Sequence, residues 1–285
     1  MLTRVAAHLD VGGVWVPWLI YGTAWKQDRT AALTELALTT GFVGFDTANQ
    51  RKHYVEAAVG EAIAAAGIPR DQLFVQTKFT YARGQDHRLP YDPSAPLTQQ
   101  VQQSFASSLD HLGIDRLDSY LMHGPERLQG WSEADREVWR AMEGLHREGR
   151  VRLLGISGVS GEQLATLCTE AAVPPSFVQN RCYARTGWDR EVRTACRGHG
   201  VTYQGFSLLT ANARELASRG VSRIADRLGA TIPQVIFSFA KALGIVALTG
   251  TSDQGHMQQD LAAGGIVLEP ADVGAIERLA EQNRE

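Results

Sequence analysis

The stretch GFVGFDTANQRKHYVEAAVG (41–60) decides the fold. A short apolar run, FVGFD (42–46), ends on a carboxylate and gives way to a polar loop. The loop leads into the Ala-rich segment YVEAAVGEAIAAAG (54–67), which stops at Gly67. A brief β-prone run followed by a longer helix-forming one is one strand–helix unit of a parallel sheet. The same unit recurs on both sides. LFVQTK (73–78) precedes LTQQVQQSFASSLDHLG (97–113), in which Val101, Phe105, Leu109 and Leu112 fall at helical intervals. LDSYLM (117–122) follows, and RLLGIS (152–157), SFVQN (176–180), VTYQGFS (201–207), GIVALT (244–249) and the earlier WLIYG (18–22) complete the strands. Helices are expected over 28–40, opening near Asp28, and over 132–149, 161–172, 188–199, 219–229, 231–243 and 270–284. Gly41, Gly67 and Gly113 read as left-handed helix stops. Eight such strands close a (β/α)8 TIM barrel. The expectation is an α/β chain folded as a single barrel domain over 1–285.

Two segments lie outside the alternation. AHLDVGGVWVPW (7–18) places a Gly-Gly turn between β-prone runs, which predicts an N-terminal β-hairpin across the barrel's bottom. YARGQDHRLPYDPSAP (81–96) is a long Pro- and Gly-containing loop after Lys78, expected to be a lid over a substrate site.

The 285 residues suit one barrel, and 44% hydrophobic content supplies a large core. A net charge of −3 argues against nucleic acid as a partner. No run reaches the roughly 18 apolar residues of a membrane helix, and the N-terminus lacks the apolar core of a signal peptide. Cys168, Cys182 and Cys196 form no CxxC pair and no metal-ligand spacing, so no metal is expected and reduced thiols in a cytoplasm fit best. No sequence stripe marks a dimer face, and a monomer is the default expectation.

Asp46, Lys78 and His123 each stand at the end of a predicted strand, with Tyr54 in the loop between the first two. Strand ends of a barrel carry its chemistry. Lys78, in a strand that should be buried, needs a counter-charge, and Asp46 on the neighbouring strand can supply it. That pair alone is equally consistent with a structural ion pair. A phenol near Lys78 gains acidity, so Tyr54 can give a proton to a carbonyl while His123 orients the carbonyl oxygen. Taken singly, Tyr54 reads as a core aromatic and His123 as a rim histidine. Together the four suggest a proton-relaying site.

On these strings the chain resembles the aldo-keto reductases over almost its whole length: GTAW (22–25), GFDTANQRKHY (44–54), FVQTK (74–78), LDSYLMHGP (117–125), GISGVS (155–160), FVQN (177–180), GFSLL (205–209) and LTGTS (248–252) with His256 and Met257. The resemblance implies a catalytic tetrad of Asp46, Tyr54, Lys78 and His123. It implies a bound nicotinamide cofactor, usually NADPH with NADH possible, and hydride transfer to an aldehyde or ketone. Gly22, Thr23, Ala24 and Asp46 would lie near the cofactor. Ser157 and Gln179 would hold the carboxamide, and Phe206 would stack on the ring. Ser207, Leu208 and Leu209 would offer a phosphate loop. Gly250, Thr251, His256, Gln259 and Asp260 would surround the adenosine 2′-phosphate and adenine. Trp25, His53 and Tyr81 would form a mouth for a mostly apolar carbonyl compound, with room for a bulky one.

The chain also departs from that family. The loop from Asp46 to Tyr54 is longer than usual and offers His53 as an alternative to Tyr54. Gly158 stands where an asparagine commonly follows the carboxamide serine. Gly250 and His256 replace the usual Lys and Arg near the 2′-phosphate, which narrows the preference for NADPH over NADH. There is no GxGxxG fingerprint of a Rossmann site. Two other functions stay open on sequence: a lyase using Lys78 as a Schiff base, and a nicotinamide-binding redox sensor without turnover.

Overall fold

The computed structural model describes residues 8–279. Two short strands, β1 (His8–Val11) and β2 (Val14–Pro17), pair antiparallel around the Gly12–Gly13 turn. Eight further strands run parallel: β3 (Leu19–Gly22), β4 (Gly44–Asp46), β5 (Phe74–Phe79), β6 (Leu117–Met122), β7 (Val151–Ser157), β8 (Phe177–Arg181), β9 (Thr202–Phe206) and β10 (Val246–Thr249). They close into a barrel in sequence order, with β10 returning to β3 through the pairs Leu248–Ile20 and Thr249–Tyr21. The helices are α1 (Thr30–Thr40), α2 (Glu56–Ala66), α3 (Leu97–Leu112), α4 (Glu133–Arg147), α5 (Gly161–Glu170), α6 (Arg190–His199), α7 (Ala213–Leu216), α8 (Arg219–Leu228), α9 (Ile232–Ala242), α10 (Gln254–Ala262) and α11 (Pro270–Glu277).

The large core lies between the barrel and its helices, where Phe45, Phe79, Phe105, Tyr120, Trp139, Trp188 and Phe239 are buried. A smaller cluster fills the bottom of the barrel: Val14 and Val16 from β2 meet Ile20, Phe74, Leu153, Phe177, Val246 and Leu248. Alternate residues of a strand share a face, so β2 turns two valines onto the barrel end and plugs it. This is the hairpin expected from sequence, except that Ala7 lies outside the described residues. The plug leaves no room for a side chain at Gly44, where a Cβ would sit 2.5 Å from Pro17 Cγ.

Helix ends follow local chemistry. Gly41, Gly67 and Gly113 all adopt the left-handed conformation that stops α1, α2 and α3. Ser132, Ser160 and Thr231 close capping boxes on α4, α5 and α9. Asp28 does not cap α1: it lies in a 3-10 turn, Gln27–Arg29, and α1 begins at Thr30 without a side-chain cap. The backbone there tightens before it settles into the helix, so the acidic residue sits one turn too early. Helix α10 was not foreseen. Its buried residues are Met257 and Asp260, too thin an apolar stripe to register, and its start is fixed by Asp253 accepting from the His256 N–H. Of the helix expected over 270–284, α11 ends at Glu277, and residues 280–284 lie outside the described residues.

Candidate active site

At the carboxyl end of the barrel, β4 and β5 run side by side with Asp46 paired to Gln76. Lys78 is two residues further along β5 and shares the face of Gln76. Its Nζ donates to Asp46 Oδ2 at 2.6 Å and to the Thr47 carbonyl at 2.8 Å. The Lys78 and Asp46 side chains are 1% and 4% exposed, so the ion pair is sealed from bulk water. Burial pulls the Lys78 ammonium below its ordinary pKa, and Asp46 opposes that pull. The sealed ammonium offers no approach to a carbonyl carbon, which argues against the Schiff-base lyase.

Asp46 is held from its other side by amides. Gln76 Nε2 and Gln179 Nε2 donate to Oδ1 at 2.7 and 3.0 Å. Both also donate to Gln204 Oε1, and Gln204 Nε2 returns a bond to Gln76 Oε1. Three glutamines from β5, β8 and β9 thus form a ring beneath the carboxylate. Buried polar atoms are rarely left without partners, and these donors satisfy the Asp46 oxygen that Lys78 does not reach.

The polar loop after β4 places two candidate acids differently. His53 lies on Trp25, with ring centroids 3.6 Å apart. Tyr54 turns inward: its ring centroid lies 5.3 Å from Lys78 Nζ and 5.9 Å from the His123 ring. The expected acidification of Tyr54 by Lys78 is outweighed. Burial and the Asp46 carboxylate push the phenol well above its ordinary range, so it is held as a neutral hydroxyl. His123 is also neutral: burial and the Lys78 charge bring its pKa down to about 3. Its Nδ1 is 2.7 Å from the Thr80 hydroxyl.

These groups open onto a cavity of about 720 Å³, within the usual size range of small-molecule sites. Asp46, Tyr54 and His123 line it beside Gly22, Ala24 and Trp25. Ser157, Gln179, Phe206, Ser207, Leu208 and Leu209 form the next stretch of wall, and Gly250, Thr251, His256, Gln259 and Asp260 the far end. Every proposed cofactor residue reaches this cavity except Thr23, whose hydroxyl donates to the Asp46 carbonyl and steadies the backbone instead. Gln179 uses Nε2 on Asp46 and Gln204, which leaves its Oε1 to accept from a carboxamide. Ser157 Oγ donates to the Gln179 carbonyl at 2.7 Å and keeps its lone pairs for another donor. Ser207 adopts a left-handed backbone, φ 57°, which turns the chain after β9 around the cavity edge. Asp260 accepts from the Thr249 hydroxyl, and burial raises its pKa to about 6. This elongated wall, with an amide oxygen and a hydroxyl beside an aromatic ring, fits a nicotinamide nucleotide.

Tyr81 does not join it. Its hydroxyl donates to Asp135 at 3.0 Å and its ring packs on Phe79, so the residue faces α4 and a smaller recess beside His123. Nor does its loop hang as a lid. Tyr91 donates to the Thr80 carbonyl, Gln85 to the Asn49 carbonyl and Arg88 to the Arg51 carbonyl. These bonds stitch 81–96 to the loop after β4 and to the end of β5, and none of its residues lines the cavity.

Four residues that sequence reasoning missed belong to the site. Gln76 and Thr80 share the strand face of Lys78, a period-two signal that was there to be read. Gln204 is the polar residue inside an apolar strand. Lys26 directly follows GTAW; it lines the cavity and donates to the Gly250 carbonyl.

A closed parallel barrel with a buried acid–ammonium pair, a neutral phenol and a neutral imidazole at a nucleotide-sized cavity defines a barrel oxidoreductase. The chain belongs to the aldo/keto reductase family, whose family model matches residues 17–281. Members of that family are NAD(P)H-dependent oxidoreductases acting on small carbonyl compounds. An aldo-keto reductase of Mycolicibacterium paratuberculosis is 33% identical over 91% of this chain and 84% of its own length. Glyoxal reductase of Bacillus subtilis is 25% identical over 95% of this chain and 92% of its own. Among solved structures, an aldo/keto reductase of Brucella melitensis shares the fold with a TM-score of 0.83, at 24% identity, covering 96% of this chain and all of that one. Among the described residues no helix is long and apolar enough to cross a membrane.

Proposed function

We propose that this chain is an NADPH-dependent reductase of aldehydes or ketones in which Tyr54 is the general acid. The observation that carries this is the orientation of the loop after β4: Tyr54 faces Lys78 and His123, while His53 stacks on Trp25. When bound, a reduced nicotinamide supplies hydride, with its electron pair, to the carbonyl carbon. Gln179 and Ser157 would hold the carboxamide, with Phe206 against the ring. The substrate oxygen would then sit between the Tyr54 hydroxyl and the His123 imidazole. As negative charge builds on that oxygen, the Tyr54 O–H bond breaks and its proton moves to it. The phenolate left behind faces Lys78, whose positive charge stabilises it at that moment and not before. This explains why a phenol held neutral at rest can still act as an acid.

The test is NADPH oxidation followed at 340 nm with a panel of aldehydes and ketones. Tyr54→Phe should lower kcat by about 10²–10⁴-fold, the usual worth of a positioned acid, with NADPH affinity kept. His53→Ala should change kcat far less. Turnover that survives in Tyr54→Phe and vanishes in His53→Ala would reverse the assignment.

A further inference from the structure

We propose that Thr80 is a positioning residue: its hydroxyl donates to His123 Nδ1 and so fixes the ring proton on Nε2, the nitrogen left to meet the substrate oxygen. This rests on the carbonyl-reductase reading of the site and adds to it the state of its second hydrogen-bond donor.

A neutral imidazole carries one N–H, and which nitrogen bears it is set by the partner of the other. Here the two outcomes have opposite consequences. A proton on Nε2 makes His123 a donor toward a carbonyl oxygen that is gaining negative charge. A proton on Nδ1 would turn a lone pair toward that oxygen and repel it.

The surroundings of Thr80 choose between them. Thr80 is 6% exposed, and among the described residues its hydroxyl has one hydrogen-bond contact, His123 Nδ1 at 2.7 Å. If Nδ1 carried the proton, the Thr80 hydroxyl hydrogen would have no protein acceptor among the described residues and could turn only to the small recess that Thr80 and His123 line. Buried donors without acceptors are rarer and costlier than oxygens with a spare lone pair. With Thr80 as donor, its hydrogen and Nδ1 are both satisfied. The main chain that carries this hydroxyl is held in place as well. The Thr80 carbonyl accepts from the Tyr91 hydroxyl at 2.7 Å and from Gln85 Nε2 at 3.3 Å. The 81–96 loop therefore acts on the chemistry from a distance: Tyr91 and Gln85 hold Thr80, and Thr80 holds the imidazole. The His123 backbone is tied to the same strand through its N–H on the Phe79 carbonyl at 2.8 Å.

Two readouts test this. The first is independent of turnover: long-range proton–nitrogen correlation spectra of protein carrying ¹⁵N-histidine, with the His123 signals assigned by their loss in His123→Gln. Wild type and Thr80→Ser should show the Nε2–H tautomer, and Thr80→Val should show a mixed or Nδ1–H ring. The second is kinetic. Thr80→Val should lower kcat about tenfold or more, in the range seen when a histidine's orienting partner is removed. Its NADPH affinity by fluorescence quenching should be unchanged, which also reports that it has folded, and Thr80→Ser should restore kcat. An unchanged His123 tautomer with unchanged kcat in Thr80→Val would overturn the proposal while leaving the reductase assignment standing. A wild type that reduces no carbonyl, yet shows the Nε2–H ring and its loss in Thr80→Val, would instead overturn the reductase assignment alone.

Discussion

Lys78 Nζ and Asp46 Oδ2 lie 2.6 Å apart in a site where neither side chain is more than 4% exposed. A buried pair is costly to break from one side, because the charge left behind has no water to turn to. Lys78→Met should therefore destabilise the protein by about 3–5 kcal/mol in urea unfolding, besides removing turnover. Asp46→Asn leaves Lys78 uncompensated and should do similar harm. A Met variant as stable as wild type would mean that the pair is not charged in the folded state.

His123 makes a pH prediction with a defined sign. Its pKa is about 3 in the folded protein, against roughly 6.5 in an unfolded chain. Between those values the unfolded chain binds more protons, so this residue's contribution to stability is intact above the unfolded pKa and is lost as pH falls toward 3. Asp260, raised to about 6, acts in the opposite sense. The useful measurement is the difference in Tm between wild type and His123→Gln, which should shrink as pH is lowered from 7 to 4. The kcat/KM profile should likewise show no limb from His123 between pH 5 and 8.

Lys26 bears on cofactor choice. Gly250 offers no side chain at the far end of the cavity, and a Cβ built there would lie 3.6 Å from Lys26 Nζ. The ammonium from the loop after β3 thus occupies ground that a lysine at position 250 would cover. Lys26→Ala should weaken NADPH binding about tenfold, the equivalent of roughly 1.4 kcal/mol, with little change for NADH, as read by fluorescence titration. Equal losses for both would place Lys26 on the phosphates the two cofactors share.

The glutamine ring gives a fourth outcome. Gln204→Leu removes the acceptor shared by Gln76 and Gln179 and leaves buried amide hydrogens unpaired, at a cost of about 1–3 kcal/mol in unfolding free energy. Because Gln179 loses one of its two anchors, the affinity for NADPH should fall as well. A variant with full affinity would show that Asp46 alone is enough to aim the Gln179 amide.

The barrel was legible in the chain because its signals are local. FVGFD, LFVQTK and LDSYLM are short apolar runs followed by helical stretches, and each run ends within two residues of the strand end observed. The strand-end rule then placed Asp46, Lys78 and His123 on one rim before any contact was known. Less could be read of residues whose role depends on what they face. The resemblance favours Tyr54 with His53 as an alternative, but the string RKHY cannot say which ring faces Lys78, since adjacent loop residues have no fixed side. Tyr81 looked like a mouth residue because Asp135, the acceptor that turns it away, is 54 positions further along.

The sequence by itself determined the strand–helix alternation, the helix stops at Gly41, Gly67 and Gly113, and the polar residues carried to the strand ends. Those depend on backbone preference and periodicity within a few neighbours. Only the tertiary structure decided that Tyr54 points inward, that three glutamines from separate strands meet under one carboxylate, and that Thr80 touches His123. Each of these needs barrel closure to bring distant segments together, and the exclusion of water then makes every such contact costly to lose.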